Sequence, residues 1–242
     1  MQKVETKQIK WNAPENIKAF ISTRIGGFSK DRYAFANMSL DVGDLKSSVM
    51  KNREDIQKSL QLPSEPSWMK QIHGTNIQYL KSPKKNIICD GSYTDQQGIV
   101  CAVLSADCLP IMMCDRFGKK VGVIHVGWRG LDKDLIQKFI KKFKVEPEDL
   151  CVWIGPTISP KNYIVREDVY SKVKKVSSKI FKRIDDLHWS LNLSLAAQII
   201  LREANINNIF VERLCTYDSS NLYYSFRRDN VTGRMVSLIW KI

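Results

Sequence analysis

The sequence predicts one mixed α/β domain over residues 1–242, and three observations predict it. Apolar runs of strand length alternate with stretches of helical spacing, without a regular strand–helix–strand beat. No repeat, low-complexity tract or linker divides the chain. A length of 242 residues with a hydrophobic fraction of 43% suffices for one sizeable core.

The elements follow in order. Residues 18–24, KAFISTR, read as a strand running into a tight loop at Gly26 and Gly27. The next stretch is rich in turn formers and carries Asn37, Asp41 and Asp44, polar loop groups of the kind that serve function or cap a core. Residues 47–60 have helical spacing, with Val49, Ile56 and Leu60 on one side, and Pro63 and Pro66 close the helix. Two short strand-like pieces, 68–71 and 77–80, are broken by His73 and Gly74. Residues 82–86 are a loop, Asp90-Gly91 is a turn signal, and 99–105 is a strongly apolar strand.

Two apolar runs, 109–114 and 121–126, flank the turn-rich stretch 115–120 and read as a β-hairpin. With the turn near residues 116–118, Cys108 falls opposite His125 or one diagonal step from it. Facing residues on one side of such a pair have Cβ atoms about 4.5–5.5 Å apart. A thiol and an imidazole would then share one metal ion or one proton. Gly127, Trp128, Arg129 and Gly130 follow at once, where backbone and a guanidinium can approach a ligand. Residues 133–143 form a helix with Leu135, Ile136, Phe139, Ile140 and Phe143 on one side, and 150–154 is a strand. Helices are expected over 168–184, with a lysine-rich polar face, and over 191–203. A strand at 209–214 precedes a C-terminal strand, a polar turn over 229–234 and a last strand over 235–240.

The formal net charge of +13 is compatible with nucleic acid, anionic membrane or phosphorylated ligands, and equally with a solvated lysine surface. No aromatic residues interleave with the lysines as in single-strand binders, so no nucleic-acid partner is expected. No apolar run approaches the roughly 20 residues of a membrane span. The N-terminal MQKVETKQIKWN lacks the apolar core of a secretory signal. Six scattered cysteines with no CxxC pair suit reduced thiols and a cytoplasmic protein.

Only three histidines exist: His73, His125 and His188. Two imidazoles and a thiolate, as in His73, Cys108 and His125, would leave a tetrahedral zinc one open position, the composition of a catalytic site. The separations along the chain match no short zinc motif, and nothing local places His73 beside the hairpin. Satisfied core residues are the alternative. Arg24, Arg129, Arg227, Arg228 and Arg234 each flank glycine or a turn. A guanidinium grips phosphate or carboxylate through two points, though surface ion pairing is the simpler use of any one.

The stretches TRIGGFS (23–29), NMSLDVGD (37–44), QIHG (71–74), DGSYTDQQG (90–98), SADCLPIMMCD (105–115), HVGWRGL (125–131), IGPTIS (154–159) and YSFRRDNVTGRM (224–235) run through nearly the whole chain. With them the sequence resembles the laccase-domain family, also called polyphenol oxidases or purine nucleoside phosphorylases of the YfiH type. The resemblance implies a layered α/β/β/α sandwich with helices outside two sheets. It implies a Zn2+ site on His73, Cys108 and His125. It also implies phosphorolysis of adenosine, inosine, guanosine and S-methyl-5′-thioadenosine, with deamination of adenosine. The expected partners are purine nucleosides and inorganic phosphate, and the expected assembly is a monomer or homodimer. Under this reading Cys108 and His125 are catalytic, and Asp107 serves the proton step. Arg24, Asn37, Arg129 and Arg228 then hold phosphate or substrate. One departure is Thr157, where the family often has cysteine.

Three rival readings stand beside this one, and the first two use the same residues. A Cys–His hydrolase or amidase, which could include cell-wall precursor editing, would make Cys108 the nucleophile and His125 its base. A copper phenol oxidase would use a His, His, Cys set, but after His73 and His125 only His188 remains for an oxygen-reducing cluster. A nucleic-acid-binding protein rests on the net charge alone.

Overall fold

The computed structural model describes residues 3–242, and its centre is the hairpin. Leu109–Asp115 pairs antiparallel with Val121–Val126, and every residue of both strands is buried. Burial on both faces explains why these strands are continuously apolar instead of alternating. The turn is held by Asp115, whose carboxylate accepts the backbone N–H groups of Phe117 and Lys119 at 2.9 and 3.2 Å.

The hairpin lies in the middle of a six-stranded sheet. Its order is Asn208–Val211, Leu150–Ile154, Leu109–Asp115, Val121–Val126, Gly91–Thr94 and Ile77–Tyr79. The inner pairings are antiparallel and the two outer ones parallel. A second, antiparallel sheet runs Thr6–Gln8, Ile17–Ser22, Met235–Lys241, Cys101–Ser105.

Side-chain alternation sorts these strands into layers. Met112, Cys114, Val121, Val123, Cys151 and Trp153 face Ile17, Ala19, Ile21, Cys101, Val103, Met235 and Ile239 of the second sheet in one buried cluster. Their neighbours Leu109, Ile111, Met113, Ile124 and Val126 turn the other way. They pack on helices Leu135–Phe143 and Leu193–Glu203 through Leu135, Phe139, Ala196 and Ile200. On the outer face of the second sheet, Ala102, Val236, Leu238 and Trp240 meet Ile56 of helix Lys46–Ser59. The result is the α/β/β/α sandwich that the family resemblance implies.

Several expectations need correction. The helix expected over 168–184 stops after Glu167–Val173, and Phe181–Arg183 is instead a strand. Phe181 pairs with Leu191 and Arg183 with Trp189, while Tyr170 stacks on Trp189 at 4.5 Å between ring centroids. Cross-strand pairing and aromatic contact there override the helical spacing. The helix expected from 191 begins at Leu193, because Leu191 ends a strand and Asn192 caps the helix by accepting the Leu195 N–H at 2.9 Å. Residues expected to begin the C-terminal hairpin form a short helix, Phe226–Asp229, capped by Ser225. The helix expected over 133–143 begins at Leu135, and a separate, unexpected short helix, Trp128–Asp132, precedes it. Asp90-Gly91 is not a turn: Gly91 opens the strand Gly91–Thr94, and a Cβ there would lie 2.3 Å from Ile124 Cγ2. The glycine permits close packing.

Asn52 explains how the polar loop after the first long strand is held. It is fully buried in helix Lys46–Ser59. Its amide donates to Ser29 Oγ and the carbonyls of Phe35 and Asn37, and its oxygen accepts the Phe28 N–H at 2.7 Å. No helix among the described residues is long and apolar enough to cross a membrane.

Candidate metal centre

The strand register decides the position of Cys108. Pro110 lies opposite His125, so Cys108, two residues earlier on the same face, takes the diagonal position. Both point toward the layer between the sheets, at its open end. His73 arrives from the loop after Met69–Lys70 in a left-handed conformation, φ 55°. One donor atom from each of His73, Cys108 and His125 lies within 4.8 Å of the other two. His73 Nε2 is 4.0 Å from the Cys108 sulfur, and the two imidazole centroids are 4.9 Å apart at 71°. His125 is buried, Cys108 half-buried and His73 exposed.

The surrounding chain fits a bound ion. Gly127 abuts the cluster: a Cβ there would lie 2.9 Å from the Cys108 sulfur and 3.5 Å from His73 Cδ2. Burial pushes the Cys108 thiol up, but the charge and hydrogen bond of His125, with His73 beside it, outweigh this and bring it down to about 6. Burial pushes His125 down, and the Cys108 thiolate with the Asp90 hydrogen bond carries it up to about 9 instead. A thiolate and two imidazoles are a donor set that suits zinc.

Asp90, read from sequence only as half of a turn signal, is fully buried behind the cluster. Its Oδ1 lies 3.3 Å from His125 Nδ1 and 2.9 Å from the His73 backbone nitrogen. Its Oδ2 accepts the N–H of Gly74 at 2.7 Å and of Ile72 at 3.3 Å. Burial raises this carboxyl, and the hydrogen bonds from His125, Gly74 and Ile72 outweigh it and hold it below the usual carboxylate range.

A cleft of about 460 Å3 opens over the cluster. Arg129, Arg227 and Arg234 line it, with Tyr163, Trp128 and Phe226. Arg129 stacks on Trp128, its guanidinium 4.3 Å from the ring centroid. Arg227 donates from Nη1 to the Ile164 carbonyl at 2.8 Å and lies over the Tyr163 ring.

The other sequence candidates are placed elsewhere. Arg24 lies outside the cleft, donating to the carbonyls of Ala34 and Ser220 and stacking on Tyr224. Arg228 is spent on the carbonyls of Thr216, Tyr217 and Tyr223 and on Asp229. Asn37 is fully buried and fixes its own loop through Ser39, Asp44 and the Arg234 N–H. Asp107 lines the cleft, but its carboxylate accepts from Thr216 Oγ1 at 2.6 Å, Ser225 Oγ at 3.0 Å and the Arg227 N–H at 2.7 Å. These bonds hold a backbone at φ 91°, immediately before Cys108. Thr157 belongs to the same support, its hydroxyl donating to the Asp107 carbonyl. His188 sits apart, 2.9 Å from Asp185 on the surface.

A family described as "Multi-copper polyphenol oxidoreductase laccase" matches residues 18–242. The chain belongs to this family. Its sequence is 37% identical over 235 residues to "Purine nucleoside phosphorylase" of Haemophilus influenzae, covering 95% of this chain and 96% of that one. It is 36% identical over 236 residues to "Purine nucleoside phosphorylase YfiH" of Escherichia coli, covering 96% and 97%. Among solved structures, Neisseria meningitidis protein NMB0706 superposes with a TM-score of 0.91 at 34% identity, covering 98% of each chain. The copper in the family's description meets a chain with three histidines, one of them remote from the cluster. An oxygen-reducing multicopper centre needs more imidazoles than that.

Proposed function

We propose that this chain is a zinc-dependent purine nucleoside phosphorylase. It splits adenosine, inosine, guanosine and S-methyl-5′-thioadenosine with inorganic phosphate, and it also deaminates adenosine. The observation that carries the reading is a His73, Cys108, His125 donor set at the base of a cleft lined by three arginines and three large aromatic residues. The names of the Haemophilus and Escherichia relatives support the substrate class.

His73, Cys108 and His125 would hold the zinc ion, which supplies Lewis-acid chemistry when bound. The rest falls to the chain's own groups. In phosphorolysis a phosphate oxygen bonds to C1′, the C1′–N9 bond breaks, and the purine leaves with a proton. Arg129, Arg227 and Arg234 bring positive charge to the phosphate. The Arg129 guanidinium is the least committed, since it rests on the Trp128 ring and makes no hydrogen bond to another described residue. Phe226, half its surface exposed at the cleft, offers a face for the purine ring. Burial and the nearby Cys108 charge push the Tyr163 phenol up, so it stays protonated at the cleft and its Oη can donate a hydrogen bond to the base. Asp107 holds the Cys108 loop instead of delivering that proton, because its carboxylate already accepts three hydrogen bonds.

A second reading has one specific observation in its favour. A thiol lowered to about 6 beside an imidazole raised to about 9 is the ion pair of a nucleophilic cysteine. His73 favours the metal, since a Cys–His pair needs no second imidazole. The deciding experiment incubates the purified protein with inosine and phosphate, and follows hypoxanthine and ribose 1-phosphate. Activity lost to a chelator and regained with zinc supports the phosphorylase. Chelator-resistant turnover through a covalent Cys108 adduct supports the hydrolase.

A further inference from the structure

Resting on the zinc reading, we propose that Asp90 is a positioning residue that sets both histidines of the cluster at once. It holds the proton of His125 on Nδ1 and fixes the loop that presents His73. The argument begins with acceptor arithmetic. An ionised carboxylate only accepts hydrogen bonds. Asp90 takes three backbone N–H groups, from Ile72, His73 and Gly74, consecutive residues in the loop that bears His73. Its remaining neighbour, His125 Nδ1 at 3.3 Å, therefore donates. The neutral imidazole then has its lone pair on Nε2, the nitrogen available to the cluster.

The same carboxylate acts on His73 through the backbone. A histidine in the left-handed region is strained and stays there only when its surroundings impose it. Here three successive N–H groups converge on two oxygens, and a Cβ on Gly74 would already lie 3.4 Å from Asp90 Oδ2. The Asp90 backbone is itself anchored on both sides. Its own N–H donates to the Asn76 carbonyl at 3.0 Å, and its carbonyl accepts the His125 N–H at 2.8 Å. One buried side chain thus ties an exposed ligand to a buried one.

Two measurements test this. The first compares zinc affinity, by chelator competition, in the wild type and Asp90→Asn, with circular dichroism to confirm the fold. An amide puts one N–H donor against donors, so affinity should fall about 10–100-fold. The second needs no variant and no metal. Nitrogen-15 spectra of the metal-free wild type, with His125 neutral, should place the ring proton on Nδ1. A proton on Nε2, or unchanged zinc affinity in a folded Asp90→Asn protein, overturns the proposal. A wild type that binds no zinc refutes the zinc reading alone, and the ring-proton measurement still decides the role of Asp90.

Discussion

Pro110 faces His125 across the central hairpin, and this places Cys108 diagonally beside that histidine at the mouth of the space between two sheets. The thiol and imidazole that meet there are 17 residues apart in the chain, and the third donor, His73, is 35 residues from Cys108.

Zinc content should fall in each of His73→Ala, Cys108→Ala and His125→Ala, measured by metal analysis of the purified proteins. The three donor atoms lie within 4.8 Å of one another, and a tetrahedral ion left with two protein ligands binds far more weakly. Full occupancy in all three variants would end the zinc assignment.

Gly127→Ala should weaken zinc binding by tenfold or more while the protein stays folded. The glycine has φ −97°, which alanine accepts, so the backbone is not strained. The new methyl would sit 2.9 Å from the Cys108 sulfur. Isothermal titration with zinc reads the loss, and a thermal melt separates it from unfolding.

Arg129 and Arg228 should behave in opposite ways. Arg129→Ala should raise the KM for phosphate or nucleoside about tenfold and leave the melting temperature nearly unchanged, since the side chain is exposed. Arg228→Ala should cost roughly 1–3 kcal/mol of stability by denaturant unfolding, because it strips partners from carbonyls in the Thr216–Tyr223 loop. Equal kinetic effects from both would remove Arg129 from the binding surface.

Cys108 should alkylate in the metal-free protein with a midpoint near pH 6, reached through its lowered thiol. The sign follows from the thiolate being the reactive form: above the midpoint the sulfur is charged and fast, below it protonated and slow. Iodoacetamide rates against pH read this directly. Zinc should suppress the reaction across the whole range, and a midpoint at the ordinary cysteine value would contradict the contact with His125.

Much of the centre was legible in the sequence, and the hairpin shows why. Two apolar runs around a turn specify a register to within one step, which sufficed for Cys108 and His125. His73 could not be placed that way, because it comes from a separate loop; only the QIHG motif within the family resemblance pointed to it. Asp90 was hidden by its neighbour: Asp-Gly is a turn pair in local statistics, and the packing of Gly91 against Ile124, like the burial of Asp90, is a tertiary fact. The arginines divide on the same principle. Each stands near a glycine or turn, but whether its guanidinium meets carbonyls, as in Arg24 and Arg228, or only a neighbouring ring at the cleft, as in Arg129, depends on how other segments fold around it. The helix misjudged at 168–184 failed for a related reason, since Phe181 finds Leu191 only after the chain has folded back.

The cluster draws its donors from three separate segments, and that has a thermodynamic consequence. An extended chain cannot bring them together, so an ion held by all three binds the folded state and hardly the unfolded one. Free zinc at 100 times its dissociation constant would then add about 2.7 kcal/mol to the folding free energy. For a protein with a margin of 5–15 kcal/mol this is a sizeable share, and the melting temperature becomes a gauge of free zinc.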